Sequence, residues 1–205
     1  MTEKDPNQNS NKRTDEEIWK EYAEKTKDIE PRKLLLEALS YVTEKENALD
    51  LGSGALNDAQ HLLSEGFQHV IAVDKIPVAT EIAEKLDIHS FQYVAASMED
   101  FDYPKNHFNL ISAQYSLPFV PPSEITNVFG KIHTSLKADG IFTGQLFGDR
   151  DEWVNDASMN FQTKDEALAM LSQYEIVSFA EEEHDSATAG GKMKHWHVFH
   201  FIVKK

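Results

Sequence analysis

Two glycines and a carboxylate downstream of them are the first residues of this 205-residue chain whose types and spacing could do chemistry. Gly52-Ser53-Gly54 follows a short apolar run, Ala48-Leu49-Asp50-Leu51, and Asp74 stands 20 positions after Gly54. Glycine permits a tight turn and a close approach of backbone to a ligand. A carboxylate at that spacing is placed to accept hydrogen bonds from ribose hydroxyls. Nearer the other end, His195-Trp196-His197 puts two imidazoles on one face of a strand. With Tyr115 and Asp149 they are the candidates for removing a proton from an oxygen or nitrogen nucleophile. The same pair of histidines invites a metal reading, but no third ligand stands at a convincing spacing, so no metal is expected. Packing or hydrogen bonding is the commoner fate of such residues.

These groups need elements to hold them. Residues 48–51 are long enough for a strand and too short for a helix. After the glycine turn, Asp58 can cap a helix that carries Leu62 and Leu63 and stops at Gly66. Val70-Ile71-Ala72-Val73 is a second buried-type strand, and it ends on Asp74. Strand, turn, helix and strand make a βαβ unit, with a ligand crevice outside the carboxyl ends of the strands. A dinucleotide fingerprint needs a third glycine where Asn57 stands, and the phosphate-cradling G-x-x-x-x-G-K-[ST] pattern is absent.

LDLGSGALNDAQHLL and GFQHVIAVD together resemble the first two motifs of class I S-adenosylmethionine-dependent methyltransferases, with a D-L-G-x-G-x-x-N-D pattern like that of small bacterial members. The resemblance runs over roughly residues 19–205. It implies an α/β, Rossmann-like methyltransferase fold: a mostly parallel seven-stranded sheet with an antiparallel last strand and helices on both faces. It implies S-adenosyl-L-methionine as cofactor, which has no phosphate and so tolerates the missing third glycine. Asp50, Gly52, Ser53, Gly54 and Asp58 fall in the glycine-turn motif, and Asp74 and Lys75 at the end of the second strand. Ile76 takes the place of an apolar residue that packs on adenine. Ser97 stands where relatives carry an aspartate toward the adenine amino group, with Met98 and Glu99 offering backbone groups beside it. Gln114 opens the stretch to Phe119 that closes the cofactor site and begins the substrate site. Leu56 departs from the glycine that many relatives have there.

In chain order, residues 1–13 are polar and aperiodic and are expected to be a disordered tail, with residues 14–205 forming one methyltransferase domain. Thr14 can cap a helix through Asp15–Lys27 that carries Trp19 and Tyr22. It is either a plain helix on the sheet edge or a lid over the cofactor, in which case Tyr22 joins the cofactor-binding residues. Pro31 opens a core helix with Leu34, Leu35, Leu36, Leu39 and Val42. A helix is expected from Lys75 to about Lys85 and strands at 91–94 and 108–113. Ile125, Val128, Phe129, Ile132 and Leu136 give a helix stopped by Asp139-Gly140. Strands at 141–147, 175–180 and 195–203 and a helix at 164–171 complete the pattern. An antiparallel last strand would bring Lys194, His195 and Trp196 close to Glu181–Glu183, Asp149 and Tyr115.

A net charge of −15 argues against nucleic-acid partners and anionic membrane surfaces. The chain has no cysteine, hence no disulfide and no thiolate chemistry. It has neither an apolar run of spanning length nor a signal-like start, so a cytoplasmic setting and a small-molecule substrate are expected. The oligomeric state is not legible. Two other readings stay open: a non-catalytic nucleoside-binding module of the same fold, and an NAD-dependent oxidoreductase.

Overall fold

Leu49, Leu51, Val73, Ile111 and Ala113 pack into one apolar cluster, while their strand neighbours Ala48, Val70, Ala72 and Leu110 pack into another. Alternation of side chains along strands buried on both faces produces that division. A computed structural model of the chain describes residues 14–26, 29–76 and 83–205. The tail expected at 1–13 and most of the helix expected between Lys75 and Lys85 lie outside the described residues.

Among the described residues seven strands form one sheet: β1 Asn47–Leu51, β2 His69–Asp74, β3 Phe91–Ala95, β4 Phe108–Ala113, β5 Leu136–Phe147, β6 Glu175–Ala187 and β7 Met193–Lys204. Their order across the sheet is β3-β2-β1-β4-β5-β7-β6, with β7 antiparallel to both neighbours and the other pairings parallel. The order reverses between β1 and β4, and this switch point opens a crevice at the carboxyl ends of those strands. Helices α2 (Lys33–Leu39) and α3 (Asn57–Ser64) contribute Leu35, Ala38, Ala59 and Leu62 to the cluster on one face. Helices α4 (Ile125–Ser135) and α5 (Lys164–Met170) supply Val128, Phe129, Ile132 and Ala167 to the other. Helix α1, Asp15–Lys25, starts at a capping box in which Thr14 and Glu17 bond each other's backbone N–H.

Two boundaries differ from the sequence expectation. Helix α4 ends at Ser135, and Asp139-Gly140 lies inside β5 at an irregularity of its pairing with β4. Asp139 takes φ +61°, and a Cβ on Gly140 would sit 2.9 Å from the Lys137 carbonyl oxygen. The dipeptide therefore bends a strand instead of stopping a helix. Strand β6 runs on to Ala187, well past Ala180, because the polar run Glu181–Asp185 pairs with β7, from Glu183 on as a two-stranded ribbon beyond the end of β5. It is an edge strand, so nothing demands apolar residues along it.

Candidate functional site

The glycine turn after β1 is built by backbone. Gly52 and Ser53 N–H both donate to the Val73 carbonyl, at 2.8 and 3.1 Å. Gly52 has φ +72°, and a Cβ there would lie 2.3 Å from Ser116 Cβ, so the turn is closed by the segment after β4. Ser116 Oγ donates to the Leu51 carbonyl at 2.7 Å and locks that contact. Gly54 has φ +47° but faces open space, with no protein atom within 4 Å of where its Cβ would be. The two glycines thus serve different ends: one lets protein pack, the other leaves room.

Asp58 does not cap α3. That place belongs to Leu56, held left-handed at φ +65° and fully buried, where relatives' glycine would be unstrained. Asp58 instead accepts the Arg32 N–H at 3.2 Å, while Asn57 Nδ2 donates to the Thr26 carbonyl at 2.7 Å. Together they tie the segment of α1 and α2 to the start of α3. Asp74 braces the turn from the other side, its Oδ2 accepting from Gly54 N–H and its Oδ1 from Ile76 N–H, both at 2.9 Å. The Tyr93 hydroxyl donates to the Ile76 carbonyl at 3.1 Å and steadies that residue.

The turn gathers three carboxyl groups, those of Asp50, Asp58 and Asp74. Asp50 is buried, and its Oδ2 has no hydrogen-bond partner among the described residues; neither has Ser53 Oγ. Burial pushes the Asp50 carboxyl well above its ordinary range, and the nearby charges of Asp58 and Asp74 add to that, against a backbone N–H donated by Ala59. Asp58 is likewise raised by burial, offset by its bond and attraction to Arg32. A buried acceptor without a donor is costly, and a cationic ligand would relieve both the vacancy in hydrogen bonding and the mutual repulsion.

These groups open into a cavity of about 1080 Å³. Its lining includes Asp50, Gly52, Ser53, Gly54 and Asp58 from the glycine turn and Asp74, Lys75 and Ile76 from the end of β2. Ser97, Met98 and Glu99 after β3, Gln114 after β4 and Tyr22 of α1 complete the expected cofactor set around the same space. Ser97 Oγ is engaged locally, donating to Asp100 Oδ2 at 2.8 Å. Of the candidate bases, Tyr115 lines the cavity but His195 and Asp149 do not. The reason is strand alternation: Trp196 faces the cavity, so His195 and His197 fall on the opposite side of β7. There His195 contacts Asp185 at 2.7 Å and Glu183 at 3.1 Å, which raise its pKa, and the buried His197 contacts Glu181 at 3.1 Å and Asp149 at 3.5 Å. Among the described residues no group of three or more His, Cys, Asp or Glu is placed to hold a metal.

His184 and Arg32 are among the cavity residues that the sequence motifs did not single out. His184 is the histidine of the lining, paired with Glu182 at 3.3 Å, and an alternation count along the polar run would have found it. Arg32 stands over the Tyr115 ring, 5.4 Å from its centroid, and donates to the Tyr22 hydroxyl at 3.2 Å. Tyr115 itself is held at φ +56° by its N–H bond to Gln145 Oε1, 2.7 Å. Burial raises its hydroxyl pKa, so it suits donating a hydrogen bond better than taking a proton. Helix α1 leans on the same space through Trp19, whose ring meets Phe119 edge-on at 4.8 Å.

Residues 48–140 match the family model described as a methyltransferase domain. The rat protein named mitochondrial arginine-hydroxylase NDUFAF5 is 33% identical over 101 residues, which is 49% of this chain and 29% of that protein. The chain therefore spans under a third of the length of that curated relative. A methyltransferase structure from Methanosarcina mazei superposes with a TM-score of 0.66 at 16% identity, over 86% of this chain and 99% of that one. The 1,6-didemethyltoxoflavin N1-methyltransferase of Burkholderia thailandensis, solved with S-adenosylhomocysteine, gives 0.61 at 19% identity over 92% and 80%. No helix among the described residues is long and apolar enough to cross a membrane. Residues 48–140 thus match a methyltransferase domain, and the βαβ turn and sheet order give the chain the Rossmann-like fold of S-adenosylmethionine-dependent methyltransferases, for which S-adenosylmethionine is the cofactor.

Proposed function

We propose that residues 14–205 act as one unit that transfers a methyl group from S-adenosylmethionine to a small-molecule acceptor. The observation that carries this reading is the buried, unpartnered Asp50 Oδ2 beside Ser53 Oγ in the glycine turn. A cofactor with a cationic amino-acid end matches that vacancy; a pyrophosphate, being anionic, does not. Asp74 takes the ribose hydroxyls, Ile76 packs on the adenine, and backbone of Met98 and Glu99 meets its edge. Arg32 is the cation on hand for the cofactor's carboxylate.

When bound, the cofactor supplies a methyl group already activated by its positive sulfur. The chain's residues then need only align the acceptor and take up its proton. His184 is the imidazole placed to accept that proton, its Nδ1 standing 3.3 Å from Glu182 Oε1. The Tyr115 hydroxyl orients the acceptor. A cytoplasmic setting and the absence of nucleic-acid partners belong to the same reading, set beside relatives named as mitochondrial.

A second reading is hydroxylation, favoured by the name of the curated relatives. Calorimetry with S-adenosylmethionine and with NAD is the first test, followed by incubation with methyl-labelled cofactor and a metabolite extract. Tight binding of S-adenosylmethionine and label in a product are expected. A product heavier by an oxygen atom and free of label would establish hydroxylation instead.

A further inference from the structure

The cavity's second half is walled by six aromatic rings drawn from separate stretches of chain: Trp19, Tyr115, Phe119, Phe147, Trp153 and Trp196. They meet one another mostly edge to face or tilted. Trp19 and Phe119 lie 4.8 Å apart, Phe147 and Trp196 5.7 Å, Trp153 and Trp196 5.7 Å, and Tyr115 and Trp196 6.4 Å. Phe147 centres a small apolar cluster separate from the two main ones, and Tyr115, Phe119, Trp153 and Trp196 are only partly buried against it. Rings left half open around a concave space are expensive to keep in water, and contiguous apolar surface of this kind marks a ligand site. The wall also adjoins the cofactor end, since Tyr115 and Phe119 flank Ser116, which packs on Gly52.

Two cations, Lys194 and Arg32, already stand against rings of the wall. Lys194 Nζ lies 3.6 Å from the centroid of Trp196, 4.3 Å from Trp153 and 4.9 Å from Phe147, with its side chain 1% exposed. It bonds Asp151 Oδ2 at 2.5 Å, and that carboxylate also accepts N–H bonds from Trp153 at 2.9 Å and His197 at 3.3 Å. At the far side Arg32 covers Tyr115. A cationic acceptor would therefore meet rings that already bear cations and a carboxylate already spent. A saturated ring would fill the space without gaining ring-to-ring electrostatics.

We infer that this wall is the acceptor subsite and that it takes an uncharged, flat aromatic or heteroaromatic ring, an inference that rests on the methyltransferase reading above. The test uses the full chain loaded with S-adenosylhomocysteine and three probes in equilibrium dialysis: 2-naphthol, decahydro-2-naphthol and arginine amide. 2-Naphthol should bind about tenfold more tightly than its saturated counterpart, and arginine amide more weakly than 2-naphthol. Trp153→Leu and Trp196→Leu should each cost 2-naphthol about tenfold while S-adenosylhomocysteine affinity holds, which also shows that the variants fold. Equal binding of the saturated alcohol, preference for arginine amide, or indifference to both substitutions would overturn the assignment. Calorimetry of S-adenosylhomocysteine alone keeps the two readings apart. If it does not bind, the methyltransferase reading falls, and the same probes on the ligand-free chain still decide the wall.

Discussion

At the scale of single residues, Asp50 couples cofactor binding to protons. Its carboxyl is raised in the folded chain, so the folded state holds a proton that the unfolded state gives up above about pH 4. The folded chain then binds more protons, and its stability falls as pH rises from that value toward Asp50's own pKa. A cationic ligand favours the ionised carboxylate, so the rise in Tm given by S-adenosylmethionine should grow over the same interval. Asp50→Asn should flatten both trends relative to the natural chain. Glu181, held down to about 2 by Arg150, His197 and Lys164, acts in the opposite sense but is common to both proteins. Identical pH slopes in thermal melts of the two would exclude Asp50. Asp74→Ala should weaken S-adenosylmethionine binding by about 1–3 kcal/mol in calorimetry. Because Asp74 also holds the Gly54 and Ile76 N–H groups, Asp74→Asn should recover part of that loss.

At the scale of elements, the two glycines of the turn make opposite predictions. Gly52→Ala drives a Cβ into Ser116 at a positive φ and should lower stability by about 1–3 kcal/mol along with affinity. Gly54→Val places its Cβ in open space, so it should abolish cofactor binding while its stability cost comes chiefly from the left-handed backbone, about 1–2 kcal/mol. Chemical denaturation alongside calorimetry separates the two, and a Gly54→Val protein that binds normally would show that the turn does not face the ligand. The βαβ unit was legible because strands buried on both faces read as unbroken apolar runs. The far half of β6 was not, because an edge strand needs no such run. The His195 face was misjudged for a different reason: a strand can be seen in sequence, but which parity faces a cavity depends on its pairing partners. Leu56 was invisible too, since nothing in an apolar residue announces a left-handed backbone.

At the scale of the molecule, α1 bridges both ends of the cavity, with Trp19 on Phe119, Tyr22 bonded by Arg32, and Thr26 held by Asn57. Among the described side chains of α1 only Ala23 is buried, and Ile18 remains exposed. Helices secured this lightly open readily. Amide exchange in residues 15–25 should be fast without ligand and slowed by S-adenosylhomocysteine, and deleting residues 1–28 should cost affinity more than Tm. Equal protection with and without ligand would leave α1 as a plain structural helix.

The position of β7 bears on how the chain comes to be folded. During synthesis β5 and β6 leave the ribosome before the strand that must lie between them. Both run in the same direction, so they could pair with each other and shut the slot. The glutamate-rich outer half of β6 is a poor match for the apolar end of β5, while β7 offers β6 twelve partners, from Lys204 at one end to Met193 at the other. The charges that look like surface decoration on the hairpin thus keep a place open for a strand that has not yet been made.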